Sequence, residues 1–567
     1  MEKNLEALRH SASHLLAQAV LELFPKTKLG IGPSIENGFY YDFDMQEEFS
    51  EKDLERIEQK MKELAKKDLK IVGEPKTKEE AKKILKNQPY KLELLKELKA
   101  KPTFYTQGDF TDLCAGPHVE STKKIKYFKL LKIAGAYWKG DSKNKMLQRI
   151  YGTVFYEKKD LKDYLFMLEE AKKRDHKKLG EKLDLFSFHE EGPGFPFFHP
   201  KGMVLYNELV DFWKEIHKKH GYQEIKTPII LNKELWLKSG HWDNYKENMY
   251  FTKIDNKDYS VKPMNCPGGI LVYKNKLHSY KEFPLKLAEL GLVHRHELSG
   301  VLNGLFRVRN FTQDDAHIYC TEKQLEDEIK KVINLSDEIY KTFGLTYELE
   351  LSTKPKKSIG SQTMWDNAEN SLKNALENLK LDYQLNPGDG AFYGPKIDFH
   401  IKDSLGRSWQ CGTIQVDFSM PEKFDLEYDG KDNQKHRPVM VHRAILGSLE
   451  RFMGIMIEHY AGKFPLWLAP VQVKIMNVND DVLKYCNKIK EELEKNNIRV
   501  ELDERNESIS KKVRDAQNQK INYMITIGEK EVKAKKLAIR TRDGKVSFGV
   551  APTKFIKDLI KEIEVKK

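Results

Sequence analysis

The segment 294–317 constrains the fold more than any other part of the chain. It reads His-Arg-His-Glu-Leu-Ser-Gly-Val-Leu-Asn-Gly-Leu-Phe-Arg-Val-Arg-Asn-Phe-Thr-Gln-Asp-Asp-Ala-His. The apolar run Gly-Leu-Val that precedes it predicts a strand that carries Arg295 and Glu297 on one face. A loop with Ser-Gly and Asn-Gly follows, and then a second alternating run. Side chains two residues apart share a face of a strand, so Gln313, Asp315 and His317 are expected on the same face of this run.

A hairpin of this kind predicts a ligand site. Arginine suits planar, bidentate contact with phosphate or carboxylate, and Arg307 and Arg309 follow the loop. The alternative is a solvated basic hairpin. That alternative does not need two acids and a histidine at two-residue spacing, so the pattern favours a site that binds a charged ligand.

Composition bounds the class of protein. A chain of 567 residues predicts several domains, and 40% hydrophobic with 11% aromatic residues is enough for packed cores. The net charge of +12 comes from 98 basic and 86 acidic residues. This excess fits a polyanionic partner or an ordinary lysine-rich surface. The basic excess alone therefore favours a nucleic-acid partner only slightly.

Cysteine usage and hydropathy favour a cytoplasmic, soluble protein. No apolar run approaches the roughly 18 residues of a membrane span, and the charged N-terminus lacks the apolar region of a signal peptide. We therefore expect no membrane association. An odd, sparse set of cysteines argues against a disulfide framework and for a reducing compartment: Cys114, Cys266, Cys320, Cys411 and Cys486.

Four segments carry a resemblance to a known family. The segment 294–317 resembles motif 2 of class II aminoacyl-tRNA synthetases, and its sequence is most similar to that of the threonyl-tRNA synthetases. Residues 221–228 (Gly-Tyr-Gln-Glu-Ile-Lys-Thr-Pro) resemble motif 1, residues 262–268 (Lys-Pro-Met-Asn-Cys-Pro-Gly) the family's zinc-ligand segment, and residues 441–452 motif 3. The resemblance implies ATP with Mg²⁺, L-threonine and tRNA(Thr) as substrates, and a homodimer formed through motif 1.

The expected fold is a multidomain α/β and α+β protein. The resemblance implies an α+β editing domain at 1–155, a helical linker at 156–183, and a class II catalytic core at 184–469 with an antiparallel sheet and flanking helices. Strand–helix alternation in 470–567 predicts a mostly parallel sheet with packed helices, which resembles the family's α/β anticodon-binding domain. The small domain that precedes the editing domain in bacterial-type members is expected to be missing.

Local patterns predict several elements. Helical spacing of apolar residues predicts a helix over 51–67, a linking helix over 158–182, and a motif 3 helix that buries Ile445, Leu449, Phe452 and Met456. Alternating patterns predict paired strands at 397–401 and 409–416.

ATP binding is assigned by the resemblance. Activation places the α-phosphate of ATP against the substrate carboxylate, and positioning with fixed cations does most of the work. Arg295 is expected at the α-phosphate, Glu297 near adenine and Arg307 near the outer phosphates. Phe311 is expected to stack on adenine and Arg451 of motif 3 to reach ATP. Taken alone, a helical arginine such as Arg451 could equally be a structural ion-pair residue.

The resemblance also implies one catalytic zinc per subunit, held by Cys266, His317 and His442. The spacing of these residues forms no local zinc-finger pattern. Three protein ligands leave zinc an open position, which threonine fills in the family through its amino group and hydroxyl. A site that demands this oxygen rejects the near-isosteric valine by roughly 10⁴-fold.

Further residues match positions around the family's substrate. Asp315 is expected to accept a hydrogen bond from the threonine hydroxyl, and Gln313 and Tyr393 are expected to orient the amino acid. His241 matches a histidine that handles the terminal ribose proton during transfer. The same site is expected to be lined by Met264, Lys396, Gln410, Thr413 and Gln415.

A second, hydrolytic site is expected because serine lacks only one methyl, worth about 1–3 kcal/mol. The pairs His10/His14 and Cys114/His118 have a spacing of four, which places each pair on one helical face if it is helical. The set resembles the family's editing site, to which Asp112 and Lys91 also match. Its chemistry alone leaves open a tetrahedral zinc site, whereas the family uses these residues without a metal.

The C-terminal domain is expected to read the anticodon. Single-stranded bases expose edges and faces that side chains can contact. The resemblance assigns this contact to Asn506, Arg514, Glu531 and Arg540.

Two other functions compete with a proofreading threonine ligase. A non-catalytic paralogue would bind tRNA or a regulatory ligand, but it would not need Arg295, Glu297, Arg451 and the metal ligands. A stand-alone deacylase is disfavoured by the complete catalytic core.

Overall fold

The computed structural model describes residues 4–566, and the chain divides into two units, Met1–Glu169 and Glu170–Lys567. Residues 1–3 of the expected editing domain and residue 567 of the expected anticodon-binding domain lie outside the described residues. No helix within 4–566 is both long and apolar enough to cross a membrane.

The first unit is an α+β structure. Its helices are α1 (Leu5–Leu23), α2 (Glu51–Lys66), α3 (Lys78–Ile84) and α4 (Pro89–Glu97). Its strands are β1 (Lys28–Leu29), β2 (Ser34–Ile35), β3 (Gly38–Asp44), β4 (Ile71–Pro75), β5 (Thr103–Gln107), β6 (Phe110–Leu113), β7 (Tyr127–Tyr137) and β8 (Met146–Phe155).

Helix α1 organises this unit. It packs beside α2 on a sheet of order β1-β3-β8-β7, with β2 added on β3, while β4-β5-β6 form a second sheet. The Asn4 side chain caps α1 by accepting from the amide of Ala7. The sequence-predicted helix at 51–67 is present as α2, which begins with a capping box between Ser50 and Asp53. Because α1 is buried against α2 and against the sheet that contains β3 and β8, the direction in which its histidines point is fixed.

The expected linker is two helices rather than one. They are α5 (Lys158–Arg174), within which the two units divide, and α6 (His176–Lys182). Asp175 ends the first helix and caps the second, because its carboxylate accepts from the amides of Lys177 and Lys178. This aspartate competes with a continuous helix, and apolar spacing alone does not reveal it.

The second unit begins with the segment that is expected to form the catalytic core. Its first elements are β9 (Phe186–Ser187), β10 (Phe197–Phe198), α7 (Pro200–Lys219), β11 (Gln223–Glu224), β12 (Ile230–Asn232), α8 (Lys233–Ser239), α9 (His241–Asn244), β13 (Tyr250–Ile254), β14 (Lys257–Val261), α10 (Cys266–Tyr273), β15 (Leu285–His294) and β16 (Asn310–Cys320). Then follow α11 (Glu322–Thr342), β17 (Thr346–Ser352), α12 (Gln362–Asn378), β18 (Tyr383–Asn386), β19 (Lys396–Lys402), β20 (Ser408–Asp417), α13 (Ser419–Lys423), β21 (Tyr428–Asp429), β22 (Lys435–His436), β23 (Val439–Ala444) and α14 (Leu449–His459).

An eight-stranded sheet forms the floor of the core, in the order β11-β15-β16-β23-β20-β19-β17-β18. It is antiparallel except at its two outer pairs, β11/β15 and β17/β18. The predicted hairpin is confirmed as β15 and β16, and the predicted pair at 397–401 and 409–416 as β19 and β20. Helices α7, α11, α12 and α14 contribute their apolar faces to the core that covers this sheet.

Two local predictions were wrong. Strand β15 ends at His294, so Arg295 and Glu297 follow the strand instead of lying on its face. The motif 3 helix α14 begins at Leu449, and Ile445 precedes it in a buried turn. In both places the backbone leaves the regular pattern next to the cavity described below, where loops re-aim side chains.

The C-terminal part of this unit is an α/β structure. Its elements are β24 (Val473–Asn477), α15 (Leu483–Glu494), β25 (Val500–Asp503), α16 (Ile509–Asn518), β26 (Tyr523–Ile527), α17 (Glu529–Ala534), β27 (Leu537–Thr541), β28 (Val546–Val550) and α18 (Pro552–Glu564). The sheet order is β25-β24-β26-β27-β28. The first three strands are parallel, and the β27/β28 hairpin adds two antiparallel pairs. The sheet is therefore mixed rather than mostly parallel.

Candidate active site

One cavity of about 510 Å³ lies over the central strands of the eight-stranded sheet. Its walls come from β16, β20, β23, the loop between β15 and β16, and the start of α14. The sequence-predicted residues that line it are Met264, Cys266, Arg295, Glu297, Arg307, Phe311, Gln313, Asp315, His317, Tyr393, Gln410, Thr413, Gln415, His442 and Arg451.

Arg295 is held at the cavity by its own surroundings. Its Nε donates to the Pro263 carbonyl at 3.2 Å. Its guanidinium carbon lies 5.0 Å from the ring centre of Phe311 and 5.7 Å from that of Tyr245. These ring faces stabilise the cation without neutralising it. The guanidinium therefore keeps donors for a ligand.

Two more guanidinium groups share this part of the cavity. Arg307 pairs with Glu297 at 2.9 Å. Arg451 lies in the first turn of α14, where its backbone amide donates a hydrogen bond to the Ser448 hydroxyl. Its Nε is buried and has no hydrogen-bond partner. Three guanidiniums beside one paired carboxylate make an end of the cavity that suits a polyphosphate.

The other end gathers Cys266, His317 and His442. One ligand atom from each lies within 4.8 Å of the others. The Nε2 of His317 is buried and has no hydrogen-bond partner among residues 4–566, which is costly unless a ligand satisfies it. The Nε2 of His442 lies 2.9 Å from Asp417 Oδ2, the carboxylate contact that zinc-bound histidines make through their second nitrogen. The donor set and this contact fit a zinc ion with one open position.

Polar groups continue from this end along the cavity. Asp315 is buried, and its Oδ2 accepts from Asn265 Nδ2 at 3.2 Å. Gln415 donates to the Gly394 carbonyl at 3.1 Å. The Oε1 of Gln313 is buried and has no hydrogen-bond partner. Asn265 and Asp417 support the site but were missed in the sequence, because only the fold brings them to Asp315 and His442.

Two predicted residues lie outside the cavity wall. Lys396 pairs with Asp398 at 2.6 Å, and Asp398 also accepts from the Thr413 hydroxyl at 2.7 Å. Lys396 therefore reaches the site through Thr413. His241 is buried, and its Nε2 lies 2.9 Å from the sulfur of Met264, which does line the cavity. Burial lowers the pKa of His241 to about 4, so the imidazole is neutral near pH 7.

A buried charge pair fixes the strands under the cavity. Asp314 accepts from Arg443 at 2.7 Å, from Trp213 Nε1 at 2.6 Å, and from the amides of Ile445 and Leu446. Burial acts to raise the pKa of Asp314, but the Arg443 cation and the hydrogen bonds outweigh it and hold the pKa below the usual range. This network was missed in the sequence. It joins motif 2 to the turn before α14, and so positions Arg451.

A separate cluster in the first unit contains the predicted editing residues. The Cys114 sulfur lies 3.1 Å from His10 Nε2 and 3.2 Å from His118 Nε2, and the His14 and His118 ring centres are 4.4 Å apart. His10 and His14 share a face of α1 as predicted. Cys114 and His118 lie in a loop after β6, so the helical alternative is wrong for that pair.

Burial keeps this cluster uncharged. It raises the pKa of Cys114 to about 11 and, with the neighbouring histidines, lowers the pKa of His118 to about 2. The pKa of His14 is lowered well below its usual value for the same reason. Neutral imidazoles can each accept one hydrogen bond and donate another. The four ligand atoms also lie within 4.8 Å of one another, so they could hold a metal.

Ser11, which the sequence did not indicate, fixes one of these imidazoles. Its hydroxyl lies 2.8 Å from the Ala7 carbonyl, accepts from the Val119 amide at 2.9 Å, and lies 3.0 Å from His118 Nδ1. The single hydroxyl proton goes to the carbonyl, which can only accept. Nδ1 of His118 therefore carries a proton, and Nε2 presents its lone pair to Cys114.

Lys91 and Asp112 lie beside the cluster. They form a buried ion pair at 2.7 Å. Asp112 also accepts from the Tyr41 hydroxyl at 2.5 Å and lies 3.8 Å from His14 Nε2. Tyr41 was missed because it belongs to β3, far from the others in sequence. A buried pair needs such hydrogen bonds to offset its desolvation.

The predicted anticodon residues are spread over the C-terminal sheet. Asn506 follows β25 and Arg514 lies on α16, both exposed. Glu531 accepts from the Gly528 amide at 2.9 Å and caps α17 just after β26. Arg540 on β27 pairs in register with Met524, near the start of β26. The carboxyl ends of the parallel strands thus bring Asn506 and Glu531 to one edge of the sheet, whereas Arg540 lies towards the other.

Three family models match the chain. Residues 250–460 match the "tRNA synthetase class II core domain (G, H, P, S and T)". Residues 472–562 match the "Anticodon binding domain". Residues 103–151 match the "Threonyl and Alanyl tRNA synthetase second additional domain". The class II match contains every residue named above as lining the cavity, whereas His241 lies before its first residue.

Curated relatives extend the likeness over the whole chain. The threonine–tRNA ligase of Carboxydothermus hydrogenoformans is 61% identical over 571 residues, which span 100% of this chain and 90% of the relative. The threonine–tRNA ligase of Clostridium tetani is 60% identical over 567 residues, 99% of this chain and 89% of the relative. The chain belongs to the threonine–tRNA ligase family.

A solved structure agrees with this membership. The RNA binding domain of threonyl-tRNA synthetase from Cryptosporidium parvum is 42% identical, with a TM-score of 0.66, and the match covers 69% of this chain and 98% of that one. The class II core, the anticodon-binding domain and the editing-associated domain expected from the sequence are all confirmed at the level of the threonine–tRNA ligase family.

Proposed function

We propose that the chain activates L-threonine with ATP and Mg²⁺ to threonyl-adenylate and transfers threonine to the 3′ end of tRNA(Thr). A single observation carries this proposal. One cavity joins an end with three guanidinium groups to an end with a Cys/His/His donor set. Such a cavity holds a triphosphate and an amino acid in contact, which is what adenylate formation requires.

At the cation-rich end, Arg295 holds the α-phosphate and Arg451 binds beside it. Arg307 reaches the outer phosphates after its ion pair with Glu297 is broken. Phe311 packs against the base, and its ring already contacts Arg295. The charge that develops as pyrophosphate leaves is met by cations fixed beforehand, so little reorganisation is needed in the reaction.

At the other end, Cys266, His317 and His442 would hold one zinc ion per subunit. When bound, zinc supplies an open position that an amino group and a hydroxyl can fill. Asp315 accepts a hydrogen bond from the threonine hydroxyl, and Asn265 keeps the carboxylate oriented. Gln313, whose Oε1 has no hydrogen-bond partner, and Tyr393 orient the amino acid. Valine lacks the hydroxyl and leaves these buried polar groups unpaired.

ATP–pyrophosphate exchange tests this function. The purified full chain is expected to exchange label with threonine, to do so with serine at a higher KM, and to respond to valine roughly 10⁴-fold less in kcat/KM. A non-catalytic paralogue or a stand-alone deacylase would give no exchange with any amino acid. Equal exchange with threonine and valine would contradict hydroxyl selection while leaving the ligase reaction intact.

We also propose that the cluster of His10, His14, Cys114 and His118 hydrolyses seryl-tRNA(Thr). Lys91, Asp112 and Tyr41 hold the neighbouring polar wall. Ser11 fixes the tautomer of His118, and the neutral imidazoles of the cluster position the attacking water and the ester by hydrogen bonds.

The double change of His10 and His14 to Ala is expected to leave threonine activation within twofold and to slow seryl-tRNA(Thr) deacylation at least tenfold, since two of the groups that position water and ester are lost. The measurement is release of labelled serine, beside exchange. Ser13→Ala is the matched control, because Ser13 lies on the same helix and bonds only the carbonyls of His10 and Gly32. Unchanged deacylation in the double variant would contradict an editing role and leave a structural metal site as the alternative.

The domain layout is part of the proposal. Editing is assigned to 1–155, a linker to 156–183, aminoacylation to 184–469 and anticodon reading to 470–567. The division of the chain within α5 and the start of β24 at Val473 support these limits. In the last domain the anticodon contacts are assigned to Asn506, Arg514, Glu531 and Arg540.

A homodimer through motif 1 completes the proposal. The side chains of Met203, Ile229 and Ile230 are exposed around this segment, and exposed apolar side chains that cluster favour a partner surface. Behind them, Lys262 and Glu289 form a buried pair at 2.9 Å that also binds Thr227. Within the described residues the cysteines are free, which supports a reducing compartment such as the cytoplasm.

A further inference from the structure

His176 is a buried imidazole outside the cavity, and neither ring nitrogen is free. Its Nδ1 lies 2.7 Å from Glu458 Oε1, and its Nε2 lies 3.0 Å from the Leu305 amide. A backbone N–H can only donate, so Nε2 carries the lone pair and Nδ1 the proton. His176 therefore bridges the Glu458 carboxylate and the backbone of residue 305.

A metal does not account for this cluster. Asp175, His176 and Glu458 have ligand atoms within 4.8 Å of one another. However, both nitrogens of His176 are already engaged, and Asp175 accepts from the Lys177 amide at 2.9 Å as the cap of α6. His176 and Asp175 thus have other partners than a metal. The bridge itself is the feature that needs a function.

The two ends of the bridge belong to the two ATP motifs. Leu305 lies in a single 3₁₀ turn, Gly304–Phe306, immediately before Arg307. Glu458 lies near the end of α14, the helix whose first turn carries Arg451. The His176 side chain thus links the backbone before one cavity arginine to the helix of the other.

The ring of His176 also supports the cavity wall. It packs on Phe306 with ring centres 4.0 Å apart, and Phe306, which lines the cavity, packs on Trp409 at 4.4 Å. The guanidinium of Arg407 lies 5.3 Å from the Trp409 ring and 2.6 Å from Glu458 Oε2. The contacts run from Glu458 through His176, Phe306, Trp409 and Arg407 back to Glu458. The ring of Phe306 is therefore packed between His176 and Trp409.

Gly304 shows how closely the turn approaches the imidazole. Its φ is +50°, and a Cβ at this position would lie 2.2 Å from His176 Nε2. A side chain there would have to push the turn away from the ring. Beyond the turn the loop has less support, since the Arg307 side chain is 54% exposed. The bridge is a buried polar anchor of this loop next to the cavity.

We propose that His176 is a positioning residue for ATP: it holds the 304–306 turn so that Arg307 and Phe306 meet the nucleotide. This inference rests on the proposed function, since it names a determinant of ATP binding in that site. The Cys/His/His end shares no contact with the bridge among those described. Loss of the bridge should therefore weaken ATP and leave threonine binding unchanged.

The test compares two substitutions of His176. Asparagine can place an amide near the Nδ1 position and keep the Glu458 contact, but it does not reach Leu305. Glutamine can place its oxygen near the Nε2 position and accept from the Leu305 amide. We expect His176→Asn to weaken ATP binding about tenfold, because a buried donor is left unpaired, and His176→Gln to recover most of it.

ATP binding is measured by equilibrium dialysis, and KM for ATP and for threonine by exchange. The expected signature is a higher ATP Kd and ATP KM, with threonine KM within twofold. His199→Asn is the control, because His199 is partly exposed and pairs with Asp184 away from the turn. Gly304→Ala perturbs the same contact from the other side and should give the same signature if His176→Asn fails to fold.

Unchanged ATP binding in both His176→Asn and Gly304→Ala would overturn the proposal. Equal weakening of ATP and threonine would also overturn it, because that result indicates general damage to the core. The dialysis result stands whether or not the parent exchanges pyrophosphate. A parent that binds ATP but shows no exchange would contradict the proposed function alone.

Discussion

Replacing Cys266 with serine is expected to strip zinc from the protein and abolish threonine-dependent pyrophosphate exchange. The thiol belongs to the first residue of α10 and is buried, and burial raises its pKa well above the usual value. A bound cation reverses this effect by favouring the thiolate. A serine hydroxyl is a poor substitute for that soft ligand, so the remaining two histidines should lose the metal.

Elemental analysis of the full chain and exchange assays check this prediction together. The parent should carry one zinc per chain, and Cys266→Ser none. Cys320→Ser is a matched control, because Cys320 is buried three residues beyond His317 but is not part of the donor set. It should keep both zinc and exchange activity. Full activity in a verified zinc-free preparation would contradict the assignment, and two zinc ions in the parent would indicate a second site at the editing cluster.

The regular elements of the site could be predicted from the sequence. Alternation along 311–318 correctly placed Gln313, Asp315 and His317 on one wall, because the period of a strand fixes which side chains share a face. The four-residue spacing of His10 and His14 correctly indicated one face of a helix. In both cases local periodicity and tertiary packing agree.

The prediction failed where the backbone leaves its regular path. Arg295 and Ile445 lie in turns beside the cavity, and Cys114 with His118 lies in a loop, so neither strand nor helix spacing describes them. Supporting residues were missed for a different reason. Asp417, Ser11 and His176 act through contacts with partners far away in sequence, and a single sequence does not show such pairings.

Buried polar networks explain why the irregular segments are nevertheless ordered. Asp314 satisfies two backbone amides in the turn before α14, and His176 satisfies one in the turn before Arg307. An unsatisfied buried amide costs about 1–3 kcal/mol. Each network therefore stabilises one conformation of the backbone next to an arginine, the turn before α14 in the case of Arg451 and the 304–306 turn in the case of Arg307.

The change Arg295→Ala is expected to lower kcat/KM for exchange by 10²-fold or more, about 2.7 kcal/mol of transition-state stabilisation. The charge that Arg295 meets grows as pyrophosphate departs, so the loss should fall mainly on kcat. Arg451→Ala should have an effect of similar size. Arg295→Lys keeps the charge but not the two-pronged geometry, and should lie between the parent and Arg295→Ala.

Urea unfolding provides the necessary control. Within the part of the chain that the structure describes, the Arg295 side chain donates to one backbone carbonyl, and the buried Nε of Arg451 has no hydrogen-bond partner. Neither substitution should therefore lower the unfolding midpoint appreciably. Arg437→Ala, which removes an exposed arginine that pairs with Asp425 at 3.3 Å, should change neither exchange nor stability. If Arg295→Ala instead unfolds the protein, the guanidinium is a structural group. If it folds and exchanges normally, the α-phosphate must be held by other residues, and Arg451 with Arg307 would be the only predicted cations left at that end of the cavity.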